Sequence, residues 1–143
     1  MQRNNLYFIL SLLVCVALAV PLFAQNGFPL KGTWSGDWGP SKSERNRLLL
    51  EFDWDGKTIS GTLNPGPDAA KIVNARLTPP AGGIANAGKG WAVHFEADTK
   101  NAAGQTVRVV VDGTLENLGA FKKFITGVWI EGNTKGYFEV IRN

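Results

Sequence analysis

The chain carries one histidine and one cysteine, which narrows the chemistry open to it before any fold is considered. His94 alternates with Glu96 along an extended segment, opposite Trp91, Val93 and Phe95, and reads as a solvent-facing side chain. Cys15 lies in an apolar N-terminal stretch that reads as a leader, so the remaining chain offers a metal one imidazole and no thiolate. A tetrahedral zinc site would then need at least three carboxylates, and no metal or cofactor is expected. A Ser-His-Asp nucleophile is formally open to His94, but no Gly-x-Ser-x-Gly elbow accompanies it.

Paired carboxylates are the other route to catalysis. Asp53 and Asp55 flank Trp54, and Glu51 and Asp53 stand two apart on one strand face. On a solvated outer face such a pair lacks the raised pKa that acid catalysis needs, and these read as solubilising charges. The run from Lys42 to Arg47 reads as a hydrated loop. The glycine-rich stretch 81–90 lacks the Gly-Lys-Ser/Thr ending of a phosphate loop and is expected to be the most mobile loop of the chain. The expectation is therefore a protein that is not an enzyme, with a hydrolase as the reading that loss of activity on His94→Ala would revive.

The N-terminus sets the expected compartment. Arg3 precedes a nearly unbroken apolar stretch from Leu6 to Leu22, followed by Ala24 and polar Gln25, which is the three-part layout of a signal peptide. The strongest apolar core is shorter than the roughly 20 residues a membrane span requires, and Pro21 interrupts its end. Residues 1–24 are read as a signal peptide and residues 25–143 as the exported domain, periplasmic or extracellular; Ala17 to Ala19 is an alternative cleavage site. Val14 before Cys15 is too bulky for a lipid-attachment cysteine. The whole chain has a net charge of +3, and only Arg3 among its charges falls in the leader. That is mild, and Lys122 and Lys123 are the only adjacent basic pair, so no nucleic-acid footprint is expected. No membrane span is expected in the mature chain.

From Lys31 onward the apolar pattern has period two, in short segments separated by Gly, Pro, Asn and Asp. Strands are predicted over 32–38, 47–54, 58–63, 71–78, 91–98, around 107–112, 121–131 and 134–142. Asp55-Gly56 is expected to form a tight type I′ turn, and Gly132-Asn133 a second short one. The fold expected is all-β: about eight antiparallel strands in an up-and-down barrel, which leaves no open sheet edge. A two-sheet β-sandwich is the alternative.

Barrel closure has a checkable consequence. Seven reversals bring the end of strand eight beside the start of strand one, so Arg142 should lie near Trp34. At these residues the chain resembles the calycin group of barrels, the lipocalins and their relatives. That group carries a Gly-x-Trp on the first strand, here Gly32-Thr33-Trp34, and a basic residue on the last strand that covers the Trp. The succession Gly32-Thr33-Trp34-Ser35-Gly36, Asp55-Gly56, Gly61-Thr62-Leu63, Ile125-Thr126-Gly127-Val128-Trp129 and Arg142 is also similar to small secreted β-domains of unknown role in soil bacteria, some of them fused ahead of an α/β-hydrolase. The resemblance implies a fold and an exported location, with Gly32, Trp34 and Arg142 closing the barrel base, and no activity.

Following strand directions, Trp34, Trp54 and Trp91 should sit near the base and Trp38, Phe95 and Phe138 near the rim, nearest the loops 39–46, 64–70, 98–105 and 131–134. Any pocket should open among the second group, for a small apolar or amphipathic molecule, unless side chains fill the lumen. Strand seven is apolar on both faces, so Trp129 is left open: facing outward, it would join Tyr137 in an aromatic surface patch for carbohydrate or protein contact. The expected function is a binding module acting through Trp38, Phe95 and Phe138; the alternative is a protein-interaction domain, an envelope accessory domain or an inhibitor of a secreted enzyme, with Trp129 and Tyr137 as its contact residues.

Overall fold

A computed structural model describes residues 27–143 apart from 83–85 and 87. The expected signal peptide, Cys15 and part of the loop 81–90 lie outside the described residues. Eight strands run in chain order: β1 (Gly32–Gly39), β2 (Asn46–Trp54), β3 (Ile59–Leu63), β4 (Ala70–Thr78), β5 (Trp91–Lys100), β6 (Thr106–Glu116), β7 (Phe124–Glu131) and β8 (Thr134–Arg142). Each pairs antiparallel with the next, and β8 pairs with β1, so the sheet closes into an up-and-down barrel and is not a sandwich. The one helical element described before β1 is a short 3-10 turn, Phe28–Leu30.

Period-two alternation explains the strands. On β2, Leu48, Leu50 and Phe52 are buried while Asn46, Glu51 and Asp53 are exposed; on β5, Val93, Phe95 and Ala97 are buried. The inward row forms one core, filled toward the base by Leu30, Trp34, Leu50, Ile72, Val93, Leu115, Ile125 and Val140. Burying such apolar surface, at about 25 cal/mol per Å², is what holds a chain with no disulfide among its described residues.

Closure occurs at the expected seam. In the register of β1 on β8, Trp34 stands opposite Arg142 and Trp38 opposite Phe138. The Trp34 indole N–H donates to the carbonyl of Leu30 at 2.8 Å, so the 3-10 turn is tied across the base and Leu30 is fully buried there. Gly32 has φ of +131°, and a Cβ on it would come within 3.1 Å of Nε of Arg142. The arginine therefore lies over the glycine that opens β1.

β5 and β6 run on to Lys100 and Glu116, beyond the expected ends near 98 and 112, and two other boundaries differ for a local reason. Asp55 does not open a two-residue turn: the loop is Asp55–Thr58, because the Asp55 carboxylate accepts the amides of Lys57 at 2.8 Å and Thr58 at 2.7 Å. β7 begins at Phe124, not at residue 121, because Asn117 takes a left-handed φ of 58° and the Ala120 amide donates to its carbonyl at 2.9 Å. Gly132-Asn133 does form a two-residue connection, with Gly132 at φ 56°.

Candidate functional site

The lumen is packed at one end and open at the other. At the rim a cavity of about 400 Å³ is lined by Trp38, Leu48, Leu63, Phe95, Val109, Val111, Trp129 and Phe138, with Asn64, Asp68, Thr99, Lys100 and Glu131 around its polar part. Phe95 marks its boundary with the core: it lines the cavity on one side and meets Phe52 edge to face on the other, with centroids 5.4 Å apart. Part of the wall comes from residues two apart, Val109 and Val111 on β6 and Trp129 and Glu131 on β7, which alternation points inward.

Trp38, Phe95 and Phe138 are brought together in this cavity. Phe138 owes its place to glycines: Gly113 and Gly127 are register partners on β6 and β7, and Cβ atoms on them would come within 2.9 Å and 2.8 Å of the Phe138 ring. The ring occupies the space those two positions leave without side chains.

Trp129 faces inward. It is only 9% exposed and stacks on Trp38, with centroids 4.1 Å apart and planes 30° from parallel. Tyr137 points out and is 58% exposed, so Trp129 and Tyr137 do not form an aromatic surface patch. The register explains the separation. Trp129 stands opposite Gly136, which shares the inner face with Phe138, whereas Tyr137 stands opposite Val128 on the outer face.

The sequence reading missed the polar mouth. Lys100 Nζ donates to Thr106 Oγ1 at 2.5 Å, at the top of the β5–β6 hairpin. Asp68 and Glu131 line the same cavity, and among the described residues neither forms an ion pair. An apolar chamber with charged groups at its opening can hold a molecule with an apolar body and a polar end. Strand direction already turns the loops 64–70, 98–105 and 131–134 to the rim, and these hold Asp68, Lys100 and Glu131; what the sequence reading did not single out is these three side chains.

His94 sits on the outer wall, away from the cavity. Its Nδ1 lies 2.7 Å from Oδ1 of Asp112 and its Nε2 3.7 Å from Oε1 of Glu96, and its side chain is 22% exposed. Beside it, Arg108 bonds Glu96 and Asp98 at 2.5 Å each. Arg108, together with a bond from Asn74, holds the Glu96 carboxyl below its usual range; Arg108 does the same for Asp98, and the two acids push the guanidinium up in turn. Asp53 is lowered by its bond to Lys31, and Asp55 by the amides of Thr58 and Lys57. Four carboxyls held down are poor proton donors at neutral pH. Among the described residues no three potential ligands converge on a metal position, and no helix is long and apolar enough to cross a membrane.

Compared with models of known protein families, with curated proteins and with solved structures, the chain matches none.

Proposed function

We propose that this chain is an exported, non-catalytic binding module that takes one small hydrophobic or amphipathic molecule into the open end of its barrel. The observation that carries the reading is the cavity of about 400 Å³ among Trp38, Phe95, Phe138 and Trp129. That volume falls in the roughly 300–1,000 Å³ range of small-molecule sites, and its walls are aromatic and aliphatic with a few polar groups at the mouth, as in such sites generally. The closed eight-strand barrel, with Gly32-Thr33-Trp34 on β1 opposite Arg142 on β8, favours a calycin-like relationship. The depressed carboxyls of the outer wall and the distance of His94 from the cavity favour binding over hydrolysis. Export rests on the leader pattern of residues 1–24 and is tested by sequencing the N-terminus of the protein made with its own leader.

Titration of the intrinsic tryptophan fluorescence with 1-anilinonaphthalene-8-sulfonate and with fatty acids of increasing chain length tests the site, because two of the five tryptophans line the cavity. A saturable change that is lost in Val111→Phe, which fills the chamber from β6, is the expected result. No saturable response to any member of the panel, or an unchanged response in Val111→Phe, overturns the reading.

A further inference from the structure

We infer that the closed end of the barrel docks on an anionic lipid surface through Phe121 and Phe28, with Lys122 and Lys123 meeting the phosphates. The loop between β6 and β7, residues 117–123, is ordered at both ends. The Ala120 amide donates to the carbonyl of Asn117 at 2.9 Å, Lys123 Nζ donates to the carbonyl of Ala120 at 3.2 Å, and the Arg142 amide donates to the carbonyl of Lys123 at 3.0 Å. The loop treats its two large apolar side chains oppositely. Leu118 packs against the core, whereas Phe121, three residues on, is fully exposed.

Phe121 is not alone at this end. Phe28, 56% exposed, opens the 3-10 turn that plugs the base and meets Trp54 edge to face, with centroids 6.3 Å apart. The register shows that the two rings share an end. Lys123 is bonded to Arg142, Arg142 stands opposite Trp34, and Trp34 is bonded to Leu30. Glu116 ends β6 and Glu139 shares a shallow groove with Lys122, while at the same end Asp53 is paired with Lys31 and Asp55 caps the amides of Lys57 and Thr58.

Charge complementarity selects the partner. A projecting aromatic ring followed directly by two lysines matches the bilayer interface, where rings sit at the acyl boundary and ammonium groups at the level of the phosphates. Docked in this way, the barrel opens its rim cavity away from the bilayer.

Co-sedimentation with vesicles tests the inference, using the protein as recovered from exporting cells for every variant, so that any retained leader contributes equally. Vesicles of phosphatidylglycerol mixed with phosphatidylcholine are compared with vesicles of phosphatidylcholine alone. Binding to the anionic vesicles only, weakened about fivefold by Lys122→Gln and about 25-fold by Lys122→Gln with Lys123→Gln, is the expected result at the roughly 1 kcal/mol that each such lysine contributes near a charged surface. Phe121→Ser should also weaken binding while melting like the parent, and Val111→Phe should leave it unchanged, which separates this surface from the cavity. Equal binding to both kinds of vesicle, no binding to either, or binding indifferent to Phe121→Ser and to the lysine pair overturns it.

Discussion

The indole of Trp38 lies on the indole of Trp129, with centroids 4.1 Å apart and planes 30° from parallel, although their strands, β1 and β7, are separated by β8. The stack bridges the lumen wall above Phe138, which stands opposite Trp38 in the register of the closing seam. It ties the seam of the barrel to the lining of its cavity.

Trp129→Ala should therefore lower stability by about 3 kcal/mol, the low end of the range for truncating a buried Trp, because one side of the ring already borders empty space. Trp38→Ala should cost less, since Trp38 is only partly buried. A double-mutant cycle between the two should return a coupling of about 0.5–1.5 kcal/mol for the stacked pair. Urea unfolding of the four proteins measures it, and a coupling indistinguishable from zero would show that the rings share a cavity without supporting one another.

The glycine pair behind Phe138 gives a sharper steric test. A Cβ on Gly127 would meet the Phe138 ring at 2.8 Å and would also press on the backbone of β6 at Asp112 and Gly113, which has nowhere to move within a closed sheet. Gly127→Ala should cost about 1–3 kcal/mol by overpacking. Gly119, in the β6–β7 loop with nothing within 4 Å of its Cβ position, is the control, and Gly119→Ala should be neutral or stabilising by up to about 1 kcal/mol. Thermal melts decide between them: similar midpoints for the two variants would mean that the Phe138 ring and the β6 backbone both give way at little cost.

Most of the barrel could be read from residue order, because each strand declares itself by alternation and each reversal by Gly, Asn, Asp or Pro. The pairing of Trp34 with Arg142 followed from counting reversals alone. The facing of Trp129 could not be read from β7, whose Val128 and Ile130 are as apolar as Ile125 and Trp129. It was recoverable from β8: the two-residue turn Gly132-Asn133 sets Glu131 opposite Thr134, hence Trp129 opposite Gly136, on the face that buries Phe138. The loop Asp55–Thr58 was misread because a carboxylate that caps two amides competes with the tight turn Asp-Gly otherwise makes. The mouth residues Asp68, Lys100 and Glu131 come from three different segments that strand direction turns to the rim, but which polar side chains of those segments face the opening is set by how each connection folds.

The outer wall makes the protein's response to acid predictable in sign. Arg108 holds Glu96 and Asp98 below their ordinary values of 4.5 and 3.8, and Lys31 holds Asp53 below 3.8. A carboxyl with a lower pKa in the folded chain takes up its proton more readily in the unfolded one, so acid favours unfolding. The contribution is fully present above the ordinary carboxylate values and is lost as pH falls past them toward the depressed ones. Because all of these groups lie on the surface, the loss should be gradual and should shrink at high salt, where their attraction is screened. Urea midpoints should stay level from pH 7 to about pH 5 and decline below that. Arg108→Leu should flatten the decline without altering the cavity, since Arg108 is on the outer wall. A midpoint as steep in acid for Arg108→Leu as for the parent would move the origin of acid lability to the amide-capped Asp55 and the Lys31–Asp53 pair at the base.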